Sequence, residues 1–255
     1  MAERNGMKKL LYLFLTEKAY LRTLHRFFYF LFDLGLLKKK EEFKFHYFVK
    51  RIIKPHFIVI DIGANLGYFA KNFSNLAKRG KIIAIEPLPQ FHEVLKYFIG
   101  MRDNVELHNV ALGKDAGTIT MVLPRTNGML RTGLPHIMRP EEKSTMERTQ
   151  DVQMVNTTDF FNTFEHIDYI KCDIEGHEWE VFQLLEHILQ EKRPFVQLEI
   201  DPVNQQNLLT FFSKLNYLCC GLDGHVCKVI TEKHFGGDYL FVPSEKQEII
   251  AQWNA

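Results

Sequence analysis

Cysteine is scarce in this sequence, and long apolar runs are missing from its N-terminal part. Four of the 255 residues are cysteine, with no CxxC pair and no Cys/His spacing typical of a zinc site. This usage predicts reduced thiols in a cytoplasmic protein rather than a disulfide framework. The longest uncharged runs near the N terminus, residues 10–16 and 27–32, are much shorter than the roughly 20 apolar residues of a transmembrane helix. We therefore expect neither a membrane span nor a secretory signal.

An excess of one charge sign is also missing. Lys and Arg number 32 and Asp and Glu 31, which argues against a uniformly basic nucleic-acid-binding protein. The charges are unevenly distributed, because residues 1–54 contain thirteen basic and five acidic residues, whereas residues 55–255 contain nineteen and twenty-six. With 46% hydrophobic residues, the chain can bury a substantial core. The sequence thus predicts a basic, aromatic N-terminal arm (residues 1–54) attached to a mildly acidic body (residues 55–255).

The arm has a helical pattern. Apolar residues recur at three-to-four spacing through residues 8–54, which predicts two or three helices with a break near Gly35. These helices either cap the body or lie on an anionic membrane, since aromatic and cationic residues alternate along them. The cap is the preferred interpretation. Stacked aromatic and basic residues also occur in RNA-binding proteins, but the acidic body argues against that partner.

The body alternates β-branched runs with helical patterns. They predict a first strand ending near Asp61, then the strands and helices of a doubly wound α/β fold. The predicted sheet is mostly parallel and seven-stranded, with an antiparallel pair at its end. Residues 118–123 and 152–156 predict an inserted β-hairpin around the loop 124–150, whose length is typical of a lid. The later predicted elements are strands at 81–86, 105–110, 169–173, 195–201, 217–222 and 238–243, and helices ending near 76 or spanning 91–99, 160–164, 177–191 and 204–215.

The first strand ends in the motif DIGANLG, residues 61–67. Ligands of open α/β sheets bind beyond the carboxyl ends of the strands. The glycines at 63 and 67 follow GxxxG spacing rather than GxGxxG, and the Asp61 carboxylate would repel a pyrophosphate but attract an ammonium. Glu86 closes the second strand, where an acidic side chain can accept hydrogen bonds from both hydroxyls of a ribose. A nucleoside with a cationic amino-acid tail, such as S-adenosylmethionine, fits both carboxylates.

Five motifs occur in a fixed order: VIDIGANLGYF at 59–69, IEPLP at 85–89, NVALG at 109–113, TTD at 157–159 and IKCDIEGHE at 170–178. In these motifs the sequence resembles class I Rossmann-like S-adenosylmethionine-dependent methyltransferases, and more narrowly the FkbM family. The resemblance implies that Glu86 holds the ribose of the cofactor. It implies that the backbone of Val110 and Ala111, with the amide of Asn109, holds the adenine. The residues implied around its methionine part are Asp61, Gly63, Ala64, Asn65, Gly67 and Tyr68.

The segment 173–178 contains the candidate catalytic residues. A hydroxyl that accepts a methyl group must lose a proton, and the unperturbed histidine pKa of about 6.5 suits His177 to the role of base. Asp173 and Glu175 would orient the acceptor, the amino group of the cofactor or a cation. Alternatively, the acids only stabilise a helix N terminus through its dipole. A second alternative is a Mg²⁺ site formed by Asp173, Glu199 and Asp201, as in catechol-type methyltransferases.

The activity expected from these features is transfer of a methyl group from S-adenosylmethionine to a hydroxyl. The acceptor, a sugar, polysaccharide or glycolipid, is implied by the resemblance, because FkbM-like enzymes often modify glycans and polyketide-type products. Two alternatives stay open: a nicotinamide-dependent dehydrogenase, against which the GxxxG turn argues, and a non-catalytic module that binds a cofactor or a membrane. We expect a small-molecule or glycan partner, no nucleic acid, and a cytoplasmic protein whose arm alternatively contacts the inner face of the membrane.

Overall fold

The computed structural model describes residues 14–126, 129–139, 148–230 and 237–255. In chain order the strands are β1 (Ile58–Ile62), β2 (Lys81–Ile85), β3 (Val105–His108), β4 (Ala111–Gly113), β5 (Gly117–Leu123), β6 (Arg125–Thr126), β7 (Met129–Leu130), β8 (His136–Ile137), β9 (Arg148–Asn156), β10 (Tyr169–Cys172), β11 (Phe195–Glu199), β12 (Tyr217–Asp223), β13 (Val226–Val229) and β14 (Asp238–Pro243). The helices are α1 (Glu17–Asp33), α2 (Lys44–Ile52), α3 (Tyr68–Leu76), α4 (Pro89–Ile99), α5 (Thr157–Asn162), α6 (Glu178–Leu184), α7 (Glu186–Lys192), α8 (Gln205–Lys214) and α9 (Ile249–Asn254).

The arm forms α1 and α2, separated at the predicted break. The Thr16 side chain caps α1 by accepting a hydrogen bond from the Ala19 N–H. After α1 the chain turns at Gly35, whose φ of +71° is a conformation that glycine adopts without strain. The predicted helices are therefore confirmed from residue 14 onward, and residues 8–13 of that prediction lie outside the described residues. No described helix combines the length and the hydropathy that crossing a bilayer requires.

The central sheet is mixed and has eight strands, in the order β13-β12-β14-β11-β10-β1-β2-β3. Five neighbouring strands, from β11 to β3, are parallel, whereas β14 runs antiparallel to both β11 and β12. The predicted antiparallel end is thus confirmed, but the prediction of seven strands is wrong. The additional strand, β13, forms a hairpin with β12. It is four residues long, too short to give a period-two signal.

Helices cover both faces of this sheet, because the side chains of each strand alternate between two cores. On β1, Val59 packs with residues of α2 and α3, whereas Ile60 and Ile62 pack with residues of α6, α7 and α8. The doubly wound α/β architecture follows from this alternation. The predicted helix 177–191 is divided at Leu185 into α6 and α7.

The inserted hairpin belongs to a second sheet. Strands β5 and β9 pair antiparallel, as predicted, but they form part of a four-stranded sheet with the order β4-β9-β5-β8. The predicted strand 105–110 ends at His108, and the chain then crosses to β4, which pairs with β9. Of the loop 124–150, residues 127–128 and 140–147 lie outside the described residues. The second sheet lies beside the carboxyl ends of the parallel strands and completes the cleft described below.

The arm shares its hydrophobic core with the body. Tyr20 and Leu21 of α1 pack with Leu66, in the loop that follows β1, and with Phe91 on α4. Residues of α2 join the core that covers one face of the central sheet. The packing of the described part of the arm is that of a helical cap.

Candidate active site

A cleft lies at the carboxyl ends of β1, β2 and β10, against the inserted sheet, with about 710 Å³ of empty volume that includes open solvent. Its wall contains both polar and apolar side chains. The polar residues include Asn65, Glu86, Thr132, Asp173, Glu175 and His177. The apolar residues include Leu88, Phe91, Val110, Ala111, Met121 and Ile137. The cleft thus brings together the first, second, third and fifth sequence motifs, which are distant along the chain.

Gly63 forms the tight turn that was predicted after β1. Its φ is +73°, and a Cβ atom there would lie 1.9 Å from the backbone carbonyl oxygen of Asp173. The N–H groups of Gly63 and Ala64 both donate to the carbonyl oxygen of Ile85, at 3.0 and 2.9 Å. The absence of a side chain at Gly63 therefore lets the backbone at the end of β10 lie close to this turn. Gly63 lines the cleft, whereas Ala64 is buried outside its lining.

Asn65 connects the turn to two other walls of the cleft. Its backbone N–H donates to Glu86 Oε2 at 2.8 Å, and its side-chain amide donates to the carbonyl oxygen of Thr132 in the inserted loop. Gly67, the residue before α3, has a φ of +87°, and a Cβ atom there would lie 2.6 Å from a methyl carbon of Leu95. Both glycines of the GxxxG motif are thus required by the protein's own packing.

Glu86 is the acidic group that the sequence predicted at the end of β2, and it lines the cleft. Its Oε1 accepts the Leu88 N–H at 2.9 Å and its Oε2 accepts the Asn65 N–H at 2.8 Å. Burial raises its pKa to about 7, although both hydrogen bonds oppose that change. Because each carboxylate oxygen can accept more than one hydrogen bond, Glu86 keeps acceptor capacity for a ligand.

Asp61 does not lie where the sequence analysis expected it. The residue is fully buried and is not part of the cleft lining. Burial raises its pKa to about 6, against the opposing effect of the nearby Lys171. Alternation along β1 turns this side chain into the core beneath α3, so its charged neighbour is an ammonium of the protein itself.

Lys171 is a functional candidate that the sequence reasoning missed. Its side chain is buried, and its Nζ lies 3.0 Å from Asp173 Oδ2 and 3.9 Å from Asp61 Oδ1. Burial lowers its pKa, but the two carboxylates outweigh that effect and raise it above its ordinary value. The ammonium therefore stays charged and joins Asp61 to Asp173 at the cleft. A lysine in an apolar strand, two residues before an aspartate, was the available signal.

The end of β10 places Asp173, Glu175 and His177 in the cleft wall. Glu175 has a φ of +55°, a strained conformation for a non-glycine residue. Burial, followed by the neighbouring Asp173, raises the Glu175 pKa to about 7. Burial lowers the pKa of His177, whose Nδ1 lies 3.6 Å from Glu180 Oε2. The site thus presents a neutral imidazole beside a carboxyl group that titrates near neutral pH.

The turn carrying these groups is held by Glu178. Its Oε1 accepts the N–H groups of Ile174 and Gly176, both at 3.1 Å. This buried carboxylate fixes the backbone between Asp173 and the start of α6. Glu178 ends the motif at residues 170–178, but the sequence alone did not indicate this role.

The described residues do not assemble the Mg²⁺ site that was considered as an alternative. No group of three or more His, Cys, Asp or Glu side chains suited to a metal ion occurs among them. Glu199 approaches Asp173, and burial and that carboxyl raise the Glu199 pKa. Asp201, the third proposed ligand, accepts the Val203 N–H at 2.9 Å through its Oδ1.

Two predicted cofactor-binding side chains point elsewhere. The Asn109 amide donates to the carbonyl oxygens of Glu86 and Pro87, at 2.8 and 2.9 Å, so it stabilises the chain at the end of β2. The Tyr68 ring packs against Phe28 of the arm, with 4.5 Å between ring centroids. Neither side chain lies in the cleft lining, whereas Val110 and Ala111 do.

Helix α1 stabilises the turn that follows β1 through two hydrogen bonds. His25 Nδ1 lies 2.8 Å from the carbonyl oxygen of Leu66, and the Tyr29 hydroxyl donates to that of Tyr68 at 2.7 Å. Burial lowers the His25 pKa to about 3, so the imidazole is neutral and its Nδ1–H is the donor. The sequence reasoning missed this role, because about forty residues separate these partners.

Comparisons with known proteins identify the family. The family model described as "Methyltransferase FkbM domain" matches residues 61–219. Methyltransferase sdnD of Sordaria araneosa is 25% identical over 171 residues, which are 56% of this chain and 66% of that protein. This chain thus spans just under two thirds of its curated relative.

Two solved structures align with part of this chain. Methyltransferase FkbM from Methylobacillus flagellatus KT aligns with a TM-score of 0.49 and 13% identity, over 74% of this chain and 44% of that one. Fibrillarin of Aeropyrum pernix with natively bound S-adenosyl-L-methionine aligns with a TM-score of 0.43 and 10% identity, over 75% and 68% of the two chains. Because the family match at residues 61–219 covers more than half of the chain, this protein belongs to the FkbM methyltransferase domain family.

Proposed function

We propose that this protein is an S-adenosylmethionine-dependent O-methyltransferase whose acceptor is a hydroxyl of a sugar, polysaccharide or glycolipid. Membership of the FkbM methyltransferase domain family supports methyl transfer as the reaction. The position of Glu86 carries the cofactor proposal, because it is an acidic residue lining the cleft at the end of β2, where a ribose can be recognised.

The residues of the cleft fit the parts of this cofactor. Glu86 would accept hydrogen bonds from the ribose hydroxyls. Val110, Ala111 and the apolar side chains of Leu88 and Phe91 would enclose the adenine. Gly63 and Asn65 line the side on which the amino-acid part would lie. When bound, the cofactor supplies a methyl group on a positively charged sulfur.

The acceptor hydroxyl would lie between this cofactor and the end of β10. His177 is the proposed base, because burial lowers its pKa and keeps the imidazole neutral, ready to accept the hydroxyl proton. Asp173 would orient the acceptor, held in place by the Lys171 ammonium at 3.0 Å. Glu175, on the same wall, would accept a hydrogen bond from a second hydroxyl of the acceptor. Such positioning can supply as much as about 7–11 kcal/mol of the barrier reduction.

The acceptor class rests on the family and on the polarity of this wall. Three ionisable side chains within five residues suit a ligand with several hydroxyl groups, which a sugar offers. The two other functions considered, a dehydrogenase and a non-catalytic module, are not favoured by the family match.

A transfer assay tests the proposal. Purified protein is incubated with S-adenosylmethionine labelled in its methyl group and with glycans and glycolipids from the source cells, and products are analysed by mass spectrometry. We expect label in a product heavier by one CH₂ group. His177→Gln should reduce the rate by about a hundredfold or more, whereas His187→Gln, on the exposed surface of α7, should not. Cofactor binding without transfer to any acceptor would favour the non-catalytic module.

A further inference from the structure

Helix α1 has two different faces. Its inner face is buried against the body through Tyr20, Leu21, His25, Tyr29 and Phe32. The opposite face presents Phe27, Phe30 and Leu34, with 51%, 59% and 59% of their surfaces exposed. Residues at this three-to-four spacing lie on one side of a helix. The cap interpretation accounts for the inner face and leaves the outer face without a function.

Basic residues lie beside this outer face. Leu36, which is 61% exposed, follows the turn at Gly35, and the exposed Lys38 and Lys39 come next. On the helix itself, the exposed Arg26 donates to the hydroxyl of Tyr97 on α4 at 3.0 Å. We call this surface the arm patch; it consists of Arg26, Phe27, Phe30, Leu34, Leu36, Lys38 and Lys39.

The composition of the arm patch is unusual for a solvated surface. Single exposed apolar residues are normal, but contiguous ones mark interaction sites. Here two phenylalanines and two leucines are exposed within residues 27–36, and three cations lie among or beside them. Asp33 is an acidic residue on the same face. Aromatic and leucine side chains bordered by Lys and Arg are typical of helices that lie in a membrane interface.

We infer that the arm patch docks on the surface of an anionic lipid bilayer, with the axis of α1 parallel to the membrane plane. The rings of Phe27 and Phe30 would enter the headgroup region, while Lys38 and Lys39 pair with lipid phosphates. Charge complementarity selects this occupant over a second copy of the chain. The arm carries thirteen basic against five acidic residues, so two arms would repel each other. The acidic body would turn away from the bilayer.

Docking through this face leaves the inner face of α1 undisturbed. That face contacts the turn beside the cleft through His25 and Tyr29. The inference does not depend on the methyltransferase proposal, since neither the cofactor nor the acceptor takes part in the binding.

Co-sedimentation of the full chain with vesicles tests the inference. We expect binding to vesicles of phosphatidylcholine with phosphatidylglycerol, weakening as salt is added, and little binding to phosphatidylcholine alone. Phe27→Ser/Phe30→Ser should lower the apparent affinity roughly tenfold or more, because less apolar surface enters the interface. Lys38→Glu/Lys39→Glu should lower it by a similar factor or more, roughly fivefold for each cation removed. The control, Val203→Ser, changes an 85% exposed apolar residue before α8 and should bind as the unaltered chain does.

Circular dichroism and thermal unfolding establish that each variant is folded. If Phe27→Ser/Phe30→Ser does not fold, vesicle binding by Lys38→Glu/Lys39→Glu decides the test, since both of these lysine side chains are exposed. Equal binding to neutral and anionic vesicles, or unchanged binding by a folded variant, would overturn the inference. A concentration-dependent dimer that Phe27→Ser/Phe30→Ser abolishes, without vesicle binding, would overturn it in favour of self-association.

Discussion

The Nζ of Lys171 lies 3.9 Å from a carboxylate oxygen of Asp61, and the two residues are register partners on the adjacent strands β10 and β1. Both side chains are buried. The same ammonium lies 3.0 Å from Asp173, which lines the cleft. A single buried cation thus connects the carboxyl end of β1 with the proposed acceptor side of the site.

Lys171→Met should therefore destabilise the protein in a pH-dependent way. Removing one partner of a buried ion pair costs about 3–5 kcal/mol. Without the ammonium, the Asp61 pKa rises further above its ordinary value, and stability is lost as the pH rises through that pKa. Urea unfolding should show a larger loss at about pH 8 than at about pH 5. The double variant Asp61→Asn/Lys171→Met should recover part of the loss; a loss independent of pH would contradict this electrostatic role.

Gly63→Ala should disrupt the fold near the cleft. The new Cβ would lie 1.9 Å from the Asp173 carbonyl oxygen, at a φ of +73°. The backbone conformation alone costs an alanine about 1–2 kcal/mol, and displacement of β10 adds to that cost. Gly117→Ala is the matched control, because its Cβ would have no heavy atom within 4 Å. Thermal unfolding should show a large loss for the first variant and a change within about 0.5 kcal/mol for the second.

His25→Phe tests the support that the arm gives to the turn. Phenylalanine can keep the stacking on Phe98, whose ring centroid is 3.7 Å away, but it leaves the Leu66 carbonyl without this donor. We expect a loss of about 1–3 kcal/mol at neutral pH. His56→Phe, in the exposed turn before β1, should have little effect.

The same variant should change how the protein responds to acid. The His25 pKa is about 3 in the folded protein, below the ordinary value of 6.5, so the unfolded chain binds more protons. The stability contributed by neutral His25 is complete above the ordinary pKa and is lost as the pH falls toward the folded value. The difference in unfolding free energy between His25→Phe and the unaltered protein should therefore become smaller in acid. A difference that stays constant or grows would exclude a buried neutral imidazole.

Glu175 should set the acid side of the pH–rate profile. Its pKa of about 7, raised first by burial and then by Asp173, means that its charge is lost as the pH falls below neutral. If the anion orients the acceptor, the rate rises with pH through about 7 and then levels. Glu175→Gln should lower the rate and remove that rise, whereas Glu186→Gln, on the exposed surface of α7, should preserve it. An unchanged profile in Glu175→Gln would assign the titration to another group.

The sequence predicted the order of most elements because their periodicities are strong and their turns contain glycine or proline. It missed β13, whose four residues include a lysine, and the division of one helix at Leu185. Neither feature is visible in a local pattern. The pairing of a short edge strand and the path of a helical segment depend on the surfaces they pack against.

The site was also predicted only in part, because some of its contacts join segments that are distant along the chain. Motif positions identified the strand ends, so Glu86, Asp173, Glu175 and His177 are indeed found in the cleft wall. Alternation along β1 sets the direction of the Asp61 side chain. Its charged neighbour Lys171 comes from the pairing of β1 with β10, which no spacing along the chain reveals. The partners of Tyr68 come from the arm, and the two walls joined by Asn65 come from β2 and the inserted loop.

Titration calorimetry with S-adenosylmethionine and with NAD, on the unaltered protein and on Glu86→Gln, tests the central claim most directly. We predict that S-adenosylmethionine binds and NAD does not. Glu86→Gln should weaken binding about tenfold or more, since hydrogen bonds to a charged group contribute about 1.5–3 kcal/mol. Glu106→Gln, on β3 and 38% exposed, is the control and should bind normally. Binding of NAD, or S-adenosylmethionine affinity unchanged by Glu86→Gln, would contradict the assignment of this cleft.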